Sequence, residues 1–253
     1  MEGDVTPLSV VCLYVKGPYR YSADYVVRLE RMVRRHLSRP FTFTCLVDRE
    51  TLPEVLAAYV GAREFVPVLV QVESLAGLVP DNGVGYWNKL RLFDPAMGFG
   101  GRVLYLDLDT WVVSSLDPIA DYPASLALTA DAFVVERAHL NTDRDGRRLV
   151  RRFNSSVMVW DAGTHSDLWR RWTPTIAQQL STDQDWIGEQ AEDALGMPLE
   201  WFPRISHLTR DAGFAATGTP LPGAAKVVLT KKPKNHICAE QWPWFDQAWG
   251  GPA

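Results

Sequence analysis

Seven short runs rich in β-branched residues recur along the chain, with helical or loop segments between them, and this spacing admits few architectures. They cover residues 9–15, 41–47, 65–70, 102–107, 125–129, 155–160 and 226–229. Several are apolar nearly throughout, as expected of strands covered on both faces. Between the first two runs, Tyr25, Val26, Leu29, Met32, Val33 and Leu37 return at helical spacing, with Ser22 placed as an N-cap and Pro40 as a stop. Further helices are expected over 52–60 and 88–93. Strands alternating with helices predict an α/β fold with a mixed, mostly parallel central sheet. Without an internal repeat, a low-complexity tract or a linker, residues 1–253 read as one domain.

Composition removes several classes. Lys and Arg number 26 against 30 Asp and Glu, a net charge of −4 that gives no general reason to expect nucleic-acid binding. A hydrophobic share of 47% suits a packed core rather than extended disorder. Cys12, Cys45 and Cys238 are far apart and form no C-x-x-C pair, which argues against a disulfide framework or a zinc cage. The opening residues begin acidic with a short apolar run, unlike a signal peptide, and no apolar stretch reaches the roughly 18 residues of a membrane span. The expectation is a soluble, cytoplasmic protein. Arg28, Arg31, Arg34, Arg35 and Arg39 on the first helix read as a solvated face. The alternative is peripheral contact with the anionic inner face of a membrane or with a phosphorylated acceptor.

The most informative segment is 86–119, where the apolar run 103–106 leads straight into Asp107-Leu108-Asp109. In an extended chain residues i and i+2 share a face, so both carboxylates would point one way. Ligands of open α/β sheets collect at the carboxyl ends of strands, where these acids would stand. Two carboxylates there repel unless a cation neutralises them, and oxygen ligands favour Mg²⁺ or Mn²⁺. Three readings compete: a plain turn, a haloacid-dehalogenase-type phosphatase, and a metal-dependent glycosyltransferase. The phosphatase pattern wants Thr or Val two residues past the second Asp, where this chain has Trp111, and it sits nearer the start of its domain.

Five segments in order decide among them. LYLDLDTWVVSSLDPI resembles the D-x-D segment of glycosyltransferase family 8 and its bacterial relatives, and YWNKL (86–90) looks like the lysine-bearing helix before it. FNSSVMVWDAG (153–163), STDQDWI (181–187) and AKVVLTKKPKNH (225–236) are similar to later segments of that family. The opening 10–48 resembles its first β-α-β unit. The resemblance implies a GT-A fold and transfer of a hexose from a nucleotide-sugar donor, UDP-linked, with retention of anomeric configuration. The acceptor would be a glycan, a lipid-linked glycan or a protein. It implies that Asp107 and Asp109 hold the metal, with Asp107 also approaching the ribose, and that Lys234 meets the leaving phosphates with Lys231 and Lys232 nearby. Asp183 and Gln184 would stand beside the donor sugar as the catalytic pair, and Asn154, Ser155 and Ser156 would bind its hydroxyls.

Each assignment has a plainer counterpart. Lys89 serves the donor, or pairs with Asp107, or both. Tyr14 meets the nucleobase or ribose, or belongs to the core. Asn154 and Ser155 cap backbone, and residues 181–183 cap a helix. One departure stands out: Thr230 occupies the place of the family's metal-binding His, and a hydroxyl is a far poorer ligand than imidazole. His236, six residues further on, substitutes only if the loop bends. A nucleotide-sugar-binding protein with impaired catalysis is therefore the alternative. His36, His139, His165 and His207 lie apart without metal spacing. The stretch 141–146 resembles an EF-hand start, but Arg152 replaces the Glu at its twelfth position. Trp242, Trp244, Phe245 and Trp249 are expected to dock the terminal segment on the core.

Overall fold

The computed structural model describes residues 7–15, 21–63, 67–78, 84–130, 142, 146, 152–230 and 235–249. Lys231, Lys232, Lys234, His139 and most of the EF-hand-like stretch lie outside them. Strands β1 (Leu8–Tyr14), β2 (Thr42–Val47) and β3 (Val68–Gln71) are followed by β4 (Arg102–Leu106), β5 (Thr110–Val112) and β6 (Leu126–Thr129). Then come β7 (Asn154–Asp161), β8 (Leu195–Met197) and β9 (Val227–Leu229). Among the described residues, seven of these form one sheet in the order β3-β2-β1-β4-β7-β6-β8. Its pairs are parallel except those of β7, which runs against both β4 and β6.

Both faces of this sheet are covered, as its apolar strands require. In β1, Val10, Cys12 and Tyr14 enter one core layer while Val11 and Leu13 enter the other. The first layer packs under helices α1 (Asp24–His36) and α2 (Leu52–Ala62), through Leu29, Met32, Val55 and Tyr59. Each such side chain contributes about 1.5–3 kcal/mol by leaving water. The second layer holds Trp87, Leu90 and Phe93 from the segment before β4, with Trp160 and Trp186.

Several boundaries differ from the sequence expectation. Helix α1 starts after Ala23, with no side-chain cap; Ser22 gives only its carbonyl, 3.1 Å from Tyr25 N. Asp24 in the first turn supplies the favourable negative charge instead. The helix ends at His36, short of Pro40, where the Leu116 amide caps the free His36 carbonyl at 2.7 Å. Residues 88–93 form a 3-10 helix, Asn88–Phe93, continuing an α-turn at Val84–Trp87. The run at 226–229 does not join the central sheet; β9 pairs antiparallel with β5 in a separate ribbon, Thr110 opposite Leu229.

The terminal aromatics dock on the core, as expected. Phe245 meets Trp111 at 5.0 Å between ring centroids, and Trp249 meets Tyr25 at 4.6 Å. Arg28 caps this contact, 4.6 Å over the Trp249 ring and 2.7 Å from Asp246. Arg34 pairs with Glu30 and Arg39 with Asp121, so much of the basic face is spent within the chain. Gly101, just before β4, has φ of +65°, and a Cβ there would stand 2.0 Å from the Pro7 carbonyl oxygen. Gly101→Ala is expected to cost at least about 1–3 kcal/mol in backbone strain alone, read as a lower denaturant midpoint with an unchanged m-value.

Candidate active site

Strand order reverses between β1 and β4, and a cleft opens at their carboxyl ends, where α/β sheets bind ligands. Leu13 and Tyr14 from β1, with Val15 just beyond it, form one wall, with Tyr21; Gly85, Tyr86 and Lys89 form another. Tyr105, Asp107, Leu108 and Asp109 enter from β4 and the turn beyond it. Because β7 is antiparallel, its first residues rather than its last reach this rim. Asp107 N donates to the Ser156 carbonyl at 2.8 Å, which places Asn154, Ser155 and Ser156 beside the acids. Thr182, Asp183 and Gln184 complete the cleft from the start of the helix Asp183–Gln190.

The two acids share the cleft, but not through an extended strand. The chain turns after β4, with Thr110 N donating to the Asp107 carbonyl at 3.2 Å, and Leu108 is buried in the core. The segment is thus a turn, and it still brings both acids to the one cleft. The ribbon β5–β9 secures the turn from behind. Thr110 Oγ1 donates to the Asp107 carbonyl at 2.7 Å, while Thr230 donates its amide and hydroxyl to the Asp109 carbonyl. Thr230 is fully buried and also contacts Asn235, so its hydroxyl is engaged on the backbone side of the acids.

Charges are arranged in one connected network. Lys89, only 7% exposed, lies 2.8 Å from Asp107 Oδ1 and 2.9 Å from Oδ2, and it donates to Ser155 Oγ at 3.2 Å. Ser155 Oγ in turn donates to Asp183 Oδ2 at 2.6 Å. Burial works against the Lys89 ammonium, but Asp107 and Asp183 outweigh it and hold its pKa above the ordinary lysine value. Burial pushes the Asp183 carboxyl up, and Lys89 and Ser155 offset only part of that. Tyr105 donates to Asp107 Oδ1 at 2.7 Å; burial, then the Asp107 charge, push its hydroxyl well up and keep it a donor. Tyr21 donates to Asp109 Oδ2 at 3.0 Å.

Of the residues singled out from sequence, Tyr14, Lys89, Asp107, Asp109, Asn154, Ser155, Asp183 and Gln184 all line this cleft. Lys89 does pair with Asp107. Tyr14 turns its hydroxyl away, 2.5 Å from Glu54 Oε2, and leaves its ring on the wall. Asn154 also caps backbone, accepting from Ser156 N at 2.8 Å. His236 does not line the cleft; its Nδ1 lies 2.7 Å from the Tyr25 hydroxyl. Tyr21, Tyr86 and Tyr105 also line it, although the sequence gives none of them a role there, and Thr182 joins them from the helix-cap stretch. Tyr105 had a signal, standing two residues before Asp107 on the same strand parity. Tyr21 had none, since it reaches Asp109 from a loop 88 positions away.

Fitness for a divalent ion follows from the donor set. Asp107 and Asp109 offer hard carboxylate oxygens, suited to Mg²⁺ or Mn²⁺. Among the described residues, no group of three His, Cys, Asp or Glu side chains is placed to hold an ion. These two carboxylates therefore fit an ion that completes its shell from water or a bound phosphate.

No protein-family model matches this sequence, and no curated protein matches it. Solved structures do. The galactosyltransferase LgtC, in complex with donor and acceptor sugar analogues, superposes over 96% of this chain and 95% of its own, at a TM-score of 0.63 and 20% identity. Mouse xyloside xylosyltransferase 1, in its apo form, covers 89% of this chain and 98% of its own, at 0.52 and 16%. GlyE of Streptococcus pneumoniae TIGR4 covers 93% of this chain, which spans 60% of GlyE, at 0.53 and 15%. The chain has the GT-A fold that these transferases share.

Proposed function

We propose that this protein is a glycosyltransferase that moves a hexose from a nucleotide-sugar donor, UDP-linked, to a glycan, lipid-linked or protein acceptor with help from a divalent ion. One observation carries the reading: Asp107, paired with a buried lysine, shares with Asp109 and a third, buried carboxylate a single cleft where the strand order reverses. The shared fold with a galactosyltransferase and a xylosyltransferase supports it.

Asp107 and Asp109 would hold the ion, which when bound supplies Lewis acidity against the charge of the departing diphosphate. Lys89 pairs with and orients Asp107, and adds positive charge to the floor of the cleft. Asn154, Ser155 and Gln184 offer hydrogen bonds to sugar hydroxyls, while Asp183 supports the positive charge that develops on the sugar ring. The Tyr14 ring and the side chains of Leu13 and Val15 give the nucleoside an apolar wall. We place Lys234 near the leaving phosphates and assign retention of configuration, both on the family resemblance. The whole chain is proposed as one domain acting in the cytoplasm. Among the described residues, no helix is long and apolar enough to cross a membrane.

A thermal-shift screen of UDP-hexoses with and without Mn²⁺ tests the reading. A donor at about a hundred times its dissociation constant stabilises by roughly 2.7 kcal/mol, which for a chain of this size raises Tm by about 5–10 °C. The shift is expected with the donor and Mn²⁺ together and largely lost with EDTA. Binding without turnover would favour the impaired-binder alternative. Indifference to every nucleotide sugar, with phosphate released from a monoester, would overturn the proposal.

A further inference from the structure

We propose that Tyr21 is a positioning residue for Asp109, fixing its carboxylate for a divalent ion that, among the described residues, two carboxylates are placed to hold. The inference rests on the metal-assisted reading above and adds a residue to it. Asp109 is held through both its backbone and its side chain. Its backbone carbonyl accepts from the amide and hydroxyl of Thr230, which pins the turn, and its Oδ2 accepts from the Tyr21 hydroxyl at 3.0 Å, which pins the side chain. Asp109 is only 7% exposed, so this charge-assisted bond forms where water competes little.

Tyr21 is itself held. Its ring packs on Tyr25 with centroids 5.0 Å apart, and its carbonyl lies 3.2 Å from the Tyr14 hydroxyl, which reaches Glu54 on α2. The hydroxyl is thus delivered from the nucleoside side of the cleft to the metal side. Asp107 is differently supported, because Tyr105 and Lys89 both donate to it. Thr230 is engaged behind the turn, and among the described residues no third His, Cys, Asp or Glu joins these two, so their orientation has to supply what an additional protein ligand would. A carboxylate already held in its binding rotamer gives up less freedom when an ion arrives. Losing such a partner of a metal ligand typically weakens metal affinity by about 10–100-fold.

The test uses the full-length protein and Tyr21→Phe, which keeps the ring against Tyr25 and removes only the hydroxyl. Mn²⁺ binding is followed by the paramagnetic resonance signal of the free ion, in saturating UDP. The variant is expected to bind Mn²⁺ about 10–100-fold more weakly, with UDP affinity in EDTA and the Tm of the unliganded protein unchanged. In turnover the loss should fall on the Mn²⁺ concentration needed for half-maximal rate and be recovered at high Mn²⁺, a split that a merely structural defect does not give. Should the variant also melt lower, that split still decides. Equal Mn²⁺ affinity in both proteins overturns the role of Tyr21 and leaves the proposed function standing. If wild type with UDP takes up no Mn²⁺, the metal-assisted reading fails and this inference falls with it.

Discussion

Asp109→Asn is expected to lower metal-dependent sugar transfer by about 10³-fold, since Lewis-acid stabilisation is worth several kcal/mol and each 1.36 kcal/mol is tenfold in rate. Asparagine keeps the shape of the side chain, and its amide oxygen still accepts from the Tyr21 hydroxyl. The Asp109 carbonyl remains bound to Thr230, so the turn and the β5–β9 ribbon keep their geometry. The variant should melt within a degree or two of wild type while losing its Mn²⁺-dependent thermal shift with donor. Wild-type turnover with UDP-hexose and Mn²⁺ in this variant would remove Asp109 from the chemistry. Asp107→Asn is a weaker test, because Asp107 also anchors Lys89 and Tyr105 and its loss disturbs two roles at once.

Lys89→Met should damage stability most. The side chains of Lys89 and Asp107 are 9% and 19% exposed, and Asp183 is 1% exposed on the far side of Ser155. Taking the cation out of such a cluster leaves its carboxylates hydrogen-bonded but without their counter-charge, a change that costs about 3–5 kcal/mol. For a chain of this length that is a fall in Tm of roughly 6–20 °C. The deficit has a pH signature. Asp183 already titrates above its ordinary value because of burial, and removing Lys89 raises it further. A carboxyl with a raised native pKa binds protons more readily folded than unfolded, so stability falls as pH rises. The gap between variant and wild type is therefore expected to narrow on going from pH 8 to pH 5. A gap that widens in acid would mean that Lys89 is not the counter-charge of this network.

Much of the site was legible because its parts lie where local sequence rules operate. The apolar run ending in Asp107 gave the strand, its carboxyl end gave the rim, and the ordered segments around Lys89, Asn154, Asp183 and Gln184 named the rest. The turn at Leu108 is no more than the plainer alternative in the sequence, since two acids flanking a leucine fit an extended strand equally well. It forms because Thr110 bonds back to the Asp107 carbonyl through both its amide and its hydroxyl. Tyr21 and Thr230 were beyond local rules. Each is placed by pairing between distant parts of the chain, Tyr21 by a loop after β1 and Thr230 by the ribbon of β5 with β9. The cap falls at Ala23 rather than Ser22 for a smaller reason: Ser22 has the right side chain for a cap, yet uses only its backbone.

Strand β7 also shapes how the protein is born. It fills the sheet between β4 and β6 but is made long after β4, the two ends lying at residues 106 and 161. At about 5–20 residues per second, a ribosome needs roughly 3–11 s to cover that interval. Throughout it, the nascent chain carries β1, β2, β3 and β4 with one long side of β4 unsealed, an open edge of the kind that recruits foreign strands. Synthesis speed and chaperone supply over those seconds should therefore bear on how much protein a cell recovers, alongside the stability of the finished fold.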